Sequence, residues 1–314
     1  MKQKIILWIE DYLFFPNYFQ KILSYLLLPL SFLYIFIIFI KRVTSSKIDF
    51  GIPIISIGNL TVGGSGKTPI TIELAKNIKD VCVILRGYGR ASKGLFVVSL
   101  NGKIKVDVNI SGDEAMLLAT SLKNATVIVS EDRVLGIKKA KELGSKVIFL
   151  DDGFSKYNIK KFDILLKPKD EPTNNFCIPS GAYREPKSFY KKANLVLKEG
   201  IDFKREVEIK KDGKKSELPE KTILLTAISK PKRLLEFLPK NIETIFFEDH
   251  HTFTKDEIDT ILEKYREFGI VTTQKDFVKL EKFHLKNIYI MDLKIKISEK
   301  LDLKELNSYL NANG

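Results

Sequence analysis

The sequence predicts an α/β fold: a parallel-sheet domain with an N-terminal membrane helix before it and a second, smaller α/β domain after it. Two observations lead to this prediction. Short apolar runs rich in β-branched residues alternate with segments of helical spacing, as in parallel sheets with crossover helices. Ahead of them, an uncharged run extends from Ile22 to Ile40. A helix of that length just spans or deeply enters a bilayer of about 30 Å.

The N-terminal segment, residues 1–42, is predicted to be helical and membrane-associated. It lacks the small-residue cleavage site of a signal peptide, and a buried core helix is seldom apolar on every face. Pro29 is expected to kink the helix, which membrane helices tolerate. The stretch from Ile5 to Phe19 mixes aromatic residues with few charges, like an interfacial lead-in.

The composition limits the classes of protein to which this chain can belong. The chain has 314 residues, 44% of them hydrophobic, which suits ordinary α/β domains and argues against disorder. Its two cysteines have no metal-binding spacing, which favours a reducing, cytosolic environment. The net charge of +13 has three competing interpretations: nucleic acid binding, an anionic membrane surface, or a general solubility bias.

The N-terminal run decides between the first two interpretations of this charge. Aromatic residues do not interleave with Lys and Arg on any one segment, so we expect no nucleic acid partner. We expect the basic surplus to meet anionic membrane lipid, and we expect a monomer.

Domain boundaries follow from the change in pattern along the chain. Residues 43–198 are predicted to form the first α/β domain. The charged stretch 199–221, with an Asp212-Gly213 turn signal, is predicted to be a linker ribbon. Residues 222–296 are predicted to form the second α/β domain, and residues 297–314 to pack back on the first.

A glycine-rich loop follows the first predicted strand, in "IGNLTVGGSGKTPI". The general phosphate-loop pattern places Gly five positions before Gly66, but Thr61 stands there. The glycines let consecutive backbone N–H groups turn toward one anion, and the following helix adds its positive N-terminal end. We therefore predict a P-loop NTPase-like domain. The predicted nucleotide-binding residues are Thr61, Val62, Gly63, Gly64, Ser65, Gly66, Lys67 and Thr68.

A magnesium site needs a second anchor, and "VIFLDDG" supplies one. Asp151 and Asp152 end an apolar strand, where two adjacent carboxylates are costly to leave unpaired and a divalent ion offsets that cost. The alternative is a solvated turn. The Thr68 hydroxyl is a further candidate ligand for Mg²⁺.

Seven motifs occur in one order along the chain: "GNLTVGGSGKTP", "RGYGR", "GDEAMLLA", "DDGF", "SGAYREP", "EDHH" and "TTQKDFVKL". Together they resemble the tetraacyldisaccharide 4′-kinase family. The resemblance covers nearly the whole chain, and that family's loop also has Thr in the first slot. It implies ATP and Mg²⁺ as cofactors. It also implies phosphorylation of the 4′-hydroxyl of an acylated glucosamine disaccharide 1-phosphate, at the cytoplasmic face of the bacterial inner membrane.

The resemblance also implies residue roles. An Asp at a helix start is more often an N-cap, but the match makes Asp113 the candidate general base. His250, otherwise a surface or capping histidine, becomes the residue that orients this base, and Lys67 reaches the outer phosphates. Arg184-Glu185, otherwise a surface ion pair, is assigned to the phosphates through Arg184 and to the metal through Glu185. Arg133 and Arg86 are further candidates for contacts with phosphate or substrate.

Some residues depart from the family pattern, and one alternative function remains open. Ser155-Lys156 stands where the family usually has Gln-His, Ala115 replaces Pro, and Gln274 replaces Glu. None of these changes removes the base or the metal anchors. The alternative is a membrane-anchored P-loop ATPase switch, which shares the loop and the anchor but does not explain a second domain bearing Asp-His-His.

Overall fold

The computed structural model describes residues 2–228 and 231–313, in which N-terminal helices precede two sheets joined into one molecule. The α/β architecture is confirmed. Short 3₁₀ helices span Lys187–Lys192, Pro231–Phe237 and Glu281–Phe283. The α-helices are α1 (Lys2–Phe14), α2 (Tyr18–Leu26), α3 (Leu28–Thr44), α4 (Lys67–Ala75), α5 (Val108–Ser111), α6 (Asp113–Ser121), α7 (Arg133–Glu142), α8 (Lys255–Lys264), α9 (Gln274–Leu280) and α10 (Lys304–Asn313).

The first sheet has the strand order β4-β3-β5-β2-β6-β1-β7-β8, and the strands from β5 to β8 in this order are parallel. β3 runs antiparallel to both of its neighbours. The strands are β1 (Ile54–Asn59), β2 (Val81–Leu85), β3 (Phe96–Leu100), β4 (Lys103–Ile104), β5 (Thr126–Val129), β6 (Val147–Asp151), β7 (Phe162–Lys167) and β8 (Leu195–Lys198).

Helices cover both faces of this sheet, which is why its central strands are apolar throughout. Successive side chains of a strand point to opposite faces, so Ile55 and Ile57 enter one core and Ile54 the other. Helices α4, α6 and α10 contribute to the first of these cores, and α7 contributes to the second. The carboxyl ends of β1 and β6 are adjacent, with Ile57 opposite Asp151, so the loops that follow them share one edge.

The second sheet has the order β10-β9-β14-β13-β11-β12. Strands β12, β11, β13 and β14 are parallel, whereas β9 pairs antiparallel with β14. Its separate core includes Phe253, Ile258 and Leu280. The strands are β9 (Phe203–Lys211), β10 (Lys214–Lys215), β11 (Thr222–Thr226), β12 (Glu243–Phe246), β13 (Gly269–Thr273) and β14 (Ile288–Ile297).

The predicted linker ribbon at 199–221 is therefore wrong as a linker, because β9 is an integral strand of the second sheet. Its turn is as expected: Asp212 and Gly213 have positive φ angles of 49° and 75°, which suits a tight hairpin. The C-terminal helix α10 packs on the first domain, where Leu306 is buried and the Tyr309 hydroxyl donates to the Ile54 carbonyl at 3.3 Å.

The helix predicted over Ile22–Ile40, with a kink at Pro29, is divided into two helices in the structure. The helical conformation is interrupted at Leu27, and α3 is bent by 55° relative to α2. Pro29 lies in the first turn of α3, where its missing N–H group removes no helical hydrogen bond. In the described part of the chain, no single helix is long and apolar enough to cross a membrane, although the bent α2–α3 pair passes that test together.

Candidate active site

The glycine-rich loop lies between β1 and α4, at the carboxyl edge of the first sheet. Gly63 and Gly66 have φ angles of 86° and 83°, a backbone region that favours glycine. Thr61 does not need that freedom, because it forms an antiparallel bridge with Tyr183. The first half of the loop is thus extended and paired, which explains why the usual first glycine is dispensable here.

Lys67 and Thr68 open α4 and face the end of β6. The Thr68 hydroxyl donates to Asp151 Oδ2 at 2.9 Å. The ammonium of Lys67 donates to Asn59 Oδ1 at 3.1 Å and lies 3.7 Å from Asp152 Oδ1. The sequence had singled out all of these residues except Asn59, the last residue of β1.

Asp151 is the most deeply placed acid of the site. Burial, with a smaller contribution from the nearby Glu114 carboxylate, raises the pKa of Asp151 to about 7. Its Oδ1 atom is buried and has no hydrogen-bond partner among the described residues. A carboxylate oxygen left open beside the Thr68 hydroxyl is the donor set that Mg²⁺ takes in phosphate-loop enzymes, so these two residues fit a magnesium site.

Arg184 clamps the neighbouring Asp152. Its two terminal nitrogens contact Asp152 Oδ1 and Oδ2 at 2.9 and 3.1 Å, and one of them also donates to Asn59 Oδ1 at 2.6 Å. Asp152 has a positive φ of 54°, and although burial raises its pKa, the Lys67 and Arg184 cations hold it well below its usual range. This arginine, expected at the phosphates, therefore lies within the phosphate-loop cluster.

Glu185 is not placed with the other metal candidates. It is buried, and its hydrogen bond is with Tyr157, near the Arg42 guanidinium. Burial raises the pKa of Glu185. Among residues 2–228 and 231–313, no group of three His, Cys, Asp or Glu side chains is arranged to hold a metal ion. The expected set of Thr68, Asp151, Asp152 and Glu185 is therefore not assembled as one site.

Arg133 and Arg86 lie near the two aspartates. Arg133 is buried, and its guanidinium donates to the Ser130 carbonyl and, at 3.4 Å, to the Asp151 carbonyl. Burial lowers the pKa of Arg133 to about 10. The Arg86 guanidinium lies 5.8 Å from the centre of the Tyr88 ring. Both arginines add positive charge at this edge of the sheet.

A second centre forms where the two domains meet. His250 Nδ1 lies 3.1 Å from both carboxylate oxygens of Asp113, although the residues are 137 positions apart in the chain. Asp113 is the first residue of α6 and also accepts from the adjacent Glu114 N–H at 2.9 Å, but the N-cap of this helix is Gly112 and no side chain caps it. The capping interpretation of Asp113 is therefore wrong, and the structure shows the dyad instead.

Two lysines that the sequence left without this role complete the centre. Lys275 and Lys279 lie four residues apart on one face of α9, with their ammonium groups 3.7 and 3.6 Å from Asp113 Oδ2. Burial opposes ionisation of Asp113, but the His250 hydrogen bond and the Lys275 cation lower its pKa to about 2. The hydrogen bond to Asp113 in turn raises the pKa of His250. Their spacing in "TTQKDFVKL" was the available signal.

The backbone at Gly89 lies close to the His250 ring, and a glycine at this position leaves space for that ring. A Cβ atom at Gly89, whose φ is 73°, would lie 3.2 Å from the His250 ring. A cavity of about 70 Å³ opens against the dyad and is lined by Gly89, Gly112, Asp113, His250, Thr252 and Lys279, among others. The second glycine of "RGYGR", Gly89, is therefore explained by contact with a residue of the other domain.

Comparison with known proteins agrees with this arrangement. A family model described as tetraacyldisaccharide-1-P 4′-kinase (LpxK) matches residues 23–311. A tetraacyldisaccharide 4′-kinase of Aliarcobacter butzleri (strain RM4018) is 71% identical over 312 residues, or 99% of each chain. One of Campylobacter jejuni subsp. doylei is 46% identical over 300 residues, covering 96% of this chain and 95% of the relative.

A solved structure with lower sequence identity indicates the same family. The crystal structure of LpxK from Aquifex aeolicus in complex with ATP is 30% identical and aligns with a TM-score of 0.74, covering 93% of this chain and 99% of that one. The chain belongs to the tetraacyldisaccharide-1-P 4′-kinase family.

Proposed function

We propose that this kinase transfers the γ-phosphoryl group of ATP to the 4′-hydroxyl of a tetraacylated glucosamine disaccharide 1-phosphate, yielding lipid IVA in lipid A biosynthesis. Family membership supports the activity. The single observation that carries the chemistry is the Asp113–His250 contact at 3.1 Å, which pairs a carboxylate base with a histidine on the same molecule as a phosphate loop.

The proposed reaction exchanges one phosphorus–oxygen bond for another. The 4′-oxygen of the acceptor attacks the γ-phosphorus, the bond from that phosphorus to the β,γ-bridging oxygen breaks, and ADP leaves. Asp113 takes the proton of the hydroxyl. With a pKa of about 2, Asp113 is ionised at every physiological pH, so the form that accepts a proton is always present, at the expense of base strength.

The side chains around Asp113 and the phosphate loop position the base, balance its charge or bind the phosphates. His250 fixes the orientation of Asp113, and Lys275 and Lys279 balance its charge in a buried place. Lys67 and the loop N–H groups bind the outer phosphates, and Arg184 lies within reach of the same anions. Thr68 and Asp151 would hold Mg²⁺, which when bound neutralises charge on the phosphates.

We further propose that the enzyme acts at the cytoplasmic face of the inner membrane, held there by α1–α3. The inward side of these helices is mixed: Gln20, Ser24 and Ser31 are buried together with Tyr12 and Phe14. The outward side is apolar, with Phe32 and Phe36 exposed to 66% and 58%. Such an apolar outward side is unlike that of a soluble helix and suits contact with lipid, where a multiply acylated acceptor resides.

The decisive test is product analysis. The full chain is incubated with MgATP and tetraacylated disaccharide 1-phosphate in mixed micelles, and the lipid is examined by mass spectrometry. We expect the mass gain of one phosphoryl group on the non-reducing sugar, and no gain with Lys67→Ala. ATP hydrolysis at equal rates with and without the acceptor, and no lipid product, would instead support the ATPase switch.

A further inference from the structure

Among the contacts of the N-terminal helices with the body of the enzyme, one group converges on a loop of residues 177–186, which we call the REP loop after its sequence motif. Four side chains of the helices donate to it. Ser24 donates to the Ser180 carbonyl, and Ser31 donates to the Cys177 carbonyl at 2.9 Å. The hydroxyls of Tyr12 and Tyr34 donate to the carbonyls of Pro179 and Arg184 at 2.9 and 2.8 Å.

The opposite side of the REP loop is bonded to the nucleotide-binding loop. The Arg184 N–H donates to the Leu60 carbonyl at 2.6 Å, and the Val62 N–H donates to the Ala182 carbonyl at 2.8 Å. The Arg184 side chain adds the contacts with Asn59 and Asp152. The REP loop is thus held between the apolar helices and the phosphate site, with hydrogen bonds to both.

Arg42, in the last turn of α3, makes a second connection between the N-terminal helices and the REP loop. Its guanidinium carbon lies 4.6, 5.0 and 5.6 Å from the ring centres of Phe189, Tyr157 and Phe154. Its charge faces the Glu185 carboxylate, which also bonds Tyr157. An arginine stacked on aromatic faces and opposed to a buried acid is held far more firmly than a surface cation.

We propose that α3 positions the nucleotide-binding loop through the REP loop, with Tyr34 and Arg42 as the positioning residues. Neither residue contacts the nucleotide in this mechanism. Tyr34 fixes the main chain of Arg184, and Arg42 fixes Glu185, so that Arg184 stays on Asp152 and Asn59. The membrane helices are then part of the ATP site's architecture as well as an anchor.

The test measures the affinity for MgATP of the full chain in detergent micelles, by fluorescence titration with a labelled nucleotide, for Tyr34→Phe, Arg42→Gln and Arg42→Lys. Because one net hydrogen bond is lost, we expect Tyr34→Phe to bind MgATP roughly threefold to tenfold more weakly. Arg42→Gln should lose at least as much, and Arg42→Lys should recover part of it. The KM for the acceptor should stay unchanged in all three.

The control is Phe32→Leu, on the exposed side of the same helix, which should keep wild-type affinity for MgATP. Wild-type affinity in both Tyr34→Phe and Arg42→Gln would overturn the proposal and leave α3 as an anchor. If Arg42→Gln lowers the unfolding temperature too far for titration, Tyr34→Phe, which lacks one oxygen atom, decides alone.

This inference deepens the proposed function and rests on it for the use of ATP, yet its readout needs no acceptor lipid. Loss of acceptor phosphorylation with normal MgATP binding would count against the proposed function. Normal phosphorylation with unaltered MgATP affinity in the variants would count against the positioning role.

Discussion

At the scale of residues, the Asp113–His250 pair makes the sharpest prediction. Asp113→Ala should lower kcat by roughly 10²–10⁴-fold, the usual contribution of a general base, with little loss of ATP affinity. His250→Ala should lower kcat less, because the carboxylate remains. The double variant should be little worse than Asp113→Ala, since residues that act as a unit are not additive.

The measurement is kcat at saturating MgATP and acceptor for the three variants, with ATP affinity determined separately. If the two single losses multiply in the double variant, the residues act independently and the dyad is wrong. A loss of ATP affinity at unchanged kcat in Asp113→Ala would show that Asp113 has a structural role and is not the general base.

The same pair predicts a pH dependence of stability. The pKa of His250 is raised in the folded state by its hydrogen bond to Asp113. The stabilisation that protonated His250 gives the folded protein is therefore fully present below the ordinary histidine pKa of about 6.5. It is lost as pH rises through the pKa that His250 has in the folded state. We expect His250→Gln to lower the free energy of unfolding more at acidic than at alkaline pH, as measured by urea titration between these limits. The exposed His284→Asn is the control, and an equal deficit at both ends would contradict the prediction.

At the scale of elements, Gly89 in "RGYGR" and Gly94, which follows this motif, offer a matched pair of substitutions. Gly89 and Gly94 have φ angles of 73° and 90°, so alanine strains the backbone at both, by about 1–2 kcal/mol. A Cβ atom at Gly94 meets nothing within 4 Å, whereas at Gly89 it presses on His250 at 3.2 Å. Both variants should lose stability, but only Gly89→Ala should lose kcat. Equal activity of the two would show that His250 tolerates displacement.

At the scale of the whole molecule, the apolar outer face of α3 predicts that the enzyme binds membranes through this surface. Replacing Phe32, Phe36 and Phe39, exposed to 66%, 58% and 57%, with Glu should release the protein from vesicles. The measurement is co-sedimentation at high salt, where the basic surface no longer contributes. Ile104→Glu, at an exposed apolar position on β4, is the control. Retention of the triple variant would show that another surface binds the lipid.

Much of this protein could be predicted from its sequence because the signals are local. Buried strands are continuous apolar runs, and a glycine loop followed by Lys67-Thr68 forms its turn from its own backbone freedom. Strand β6 ends in Asp151 at the edge where that loop lies, since parallel strands bring their carboxyl ends together. The Asp212-Gly213 turn could be predicted for the same reason, because its geometry depends on these two residues alone.

The tertiary structure alone decided what distant segments do to one another. The pairing of β9 with β14 turned an expected linker into a strand, and packing on the REP loop placed polar side chains of α2 and α3 inward, on either side of a bend at Leu27. Glu185 turned toward Arg42 and Tyr157 rather than toward Asp151. Such contacts depend on side chains far apart in the chain, and periodicity carries no information about which of them meet. The convergence of Lys275 and Lys279 on Asp113 is of that kind.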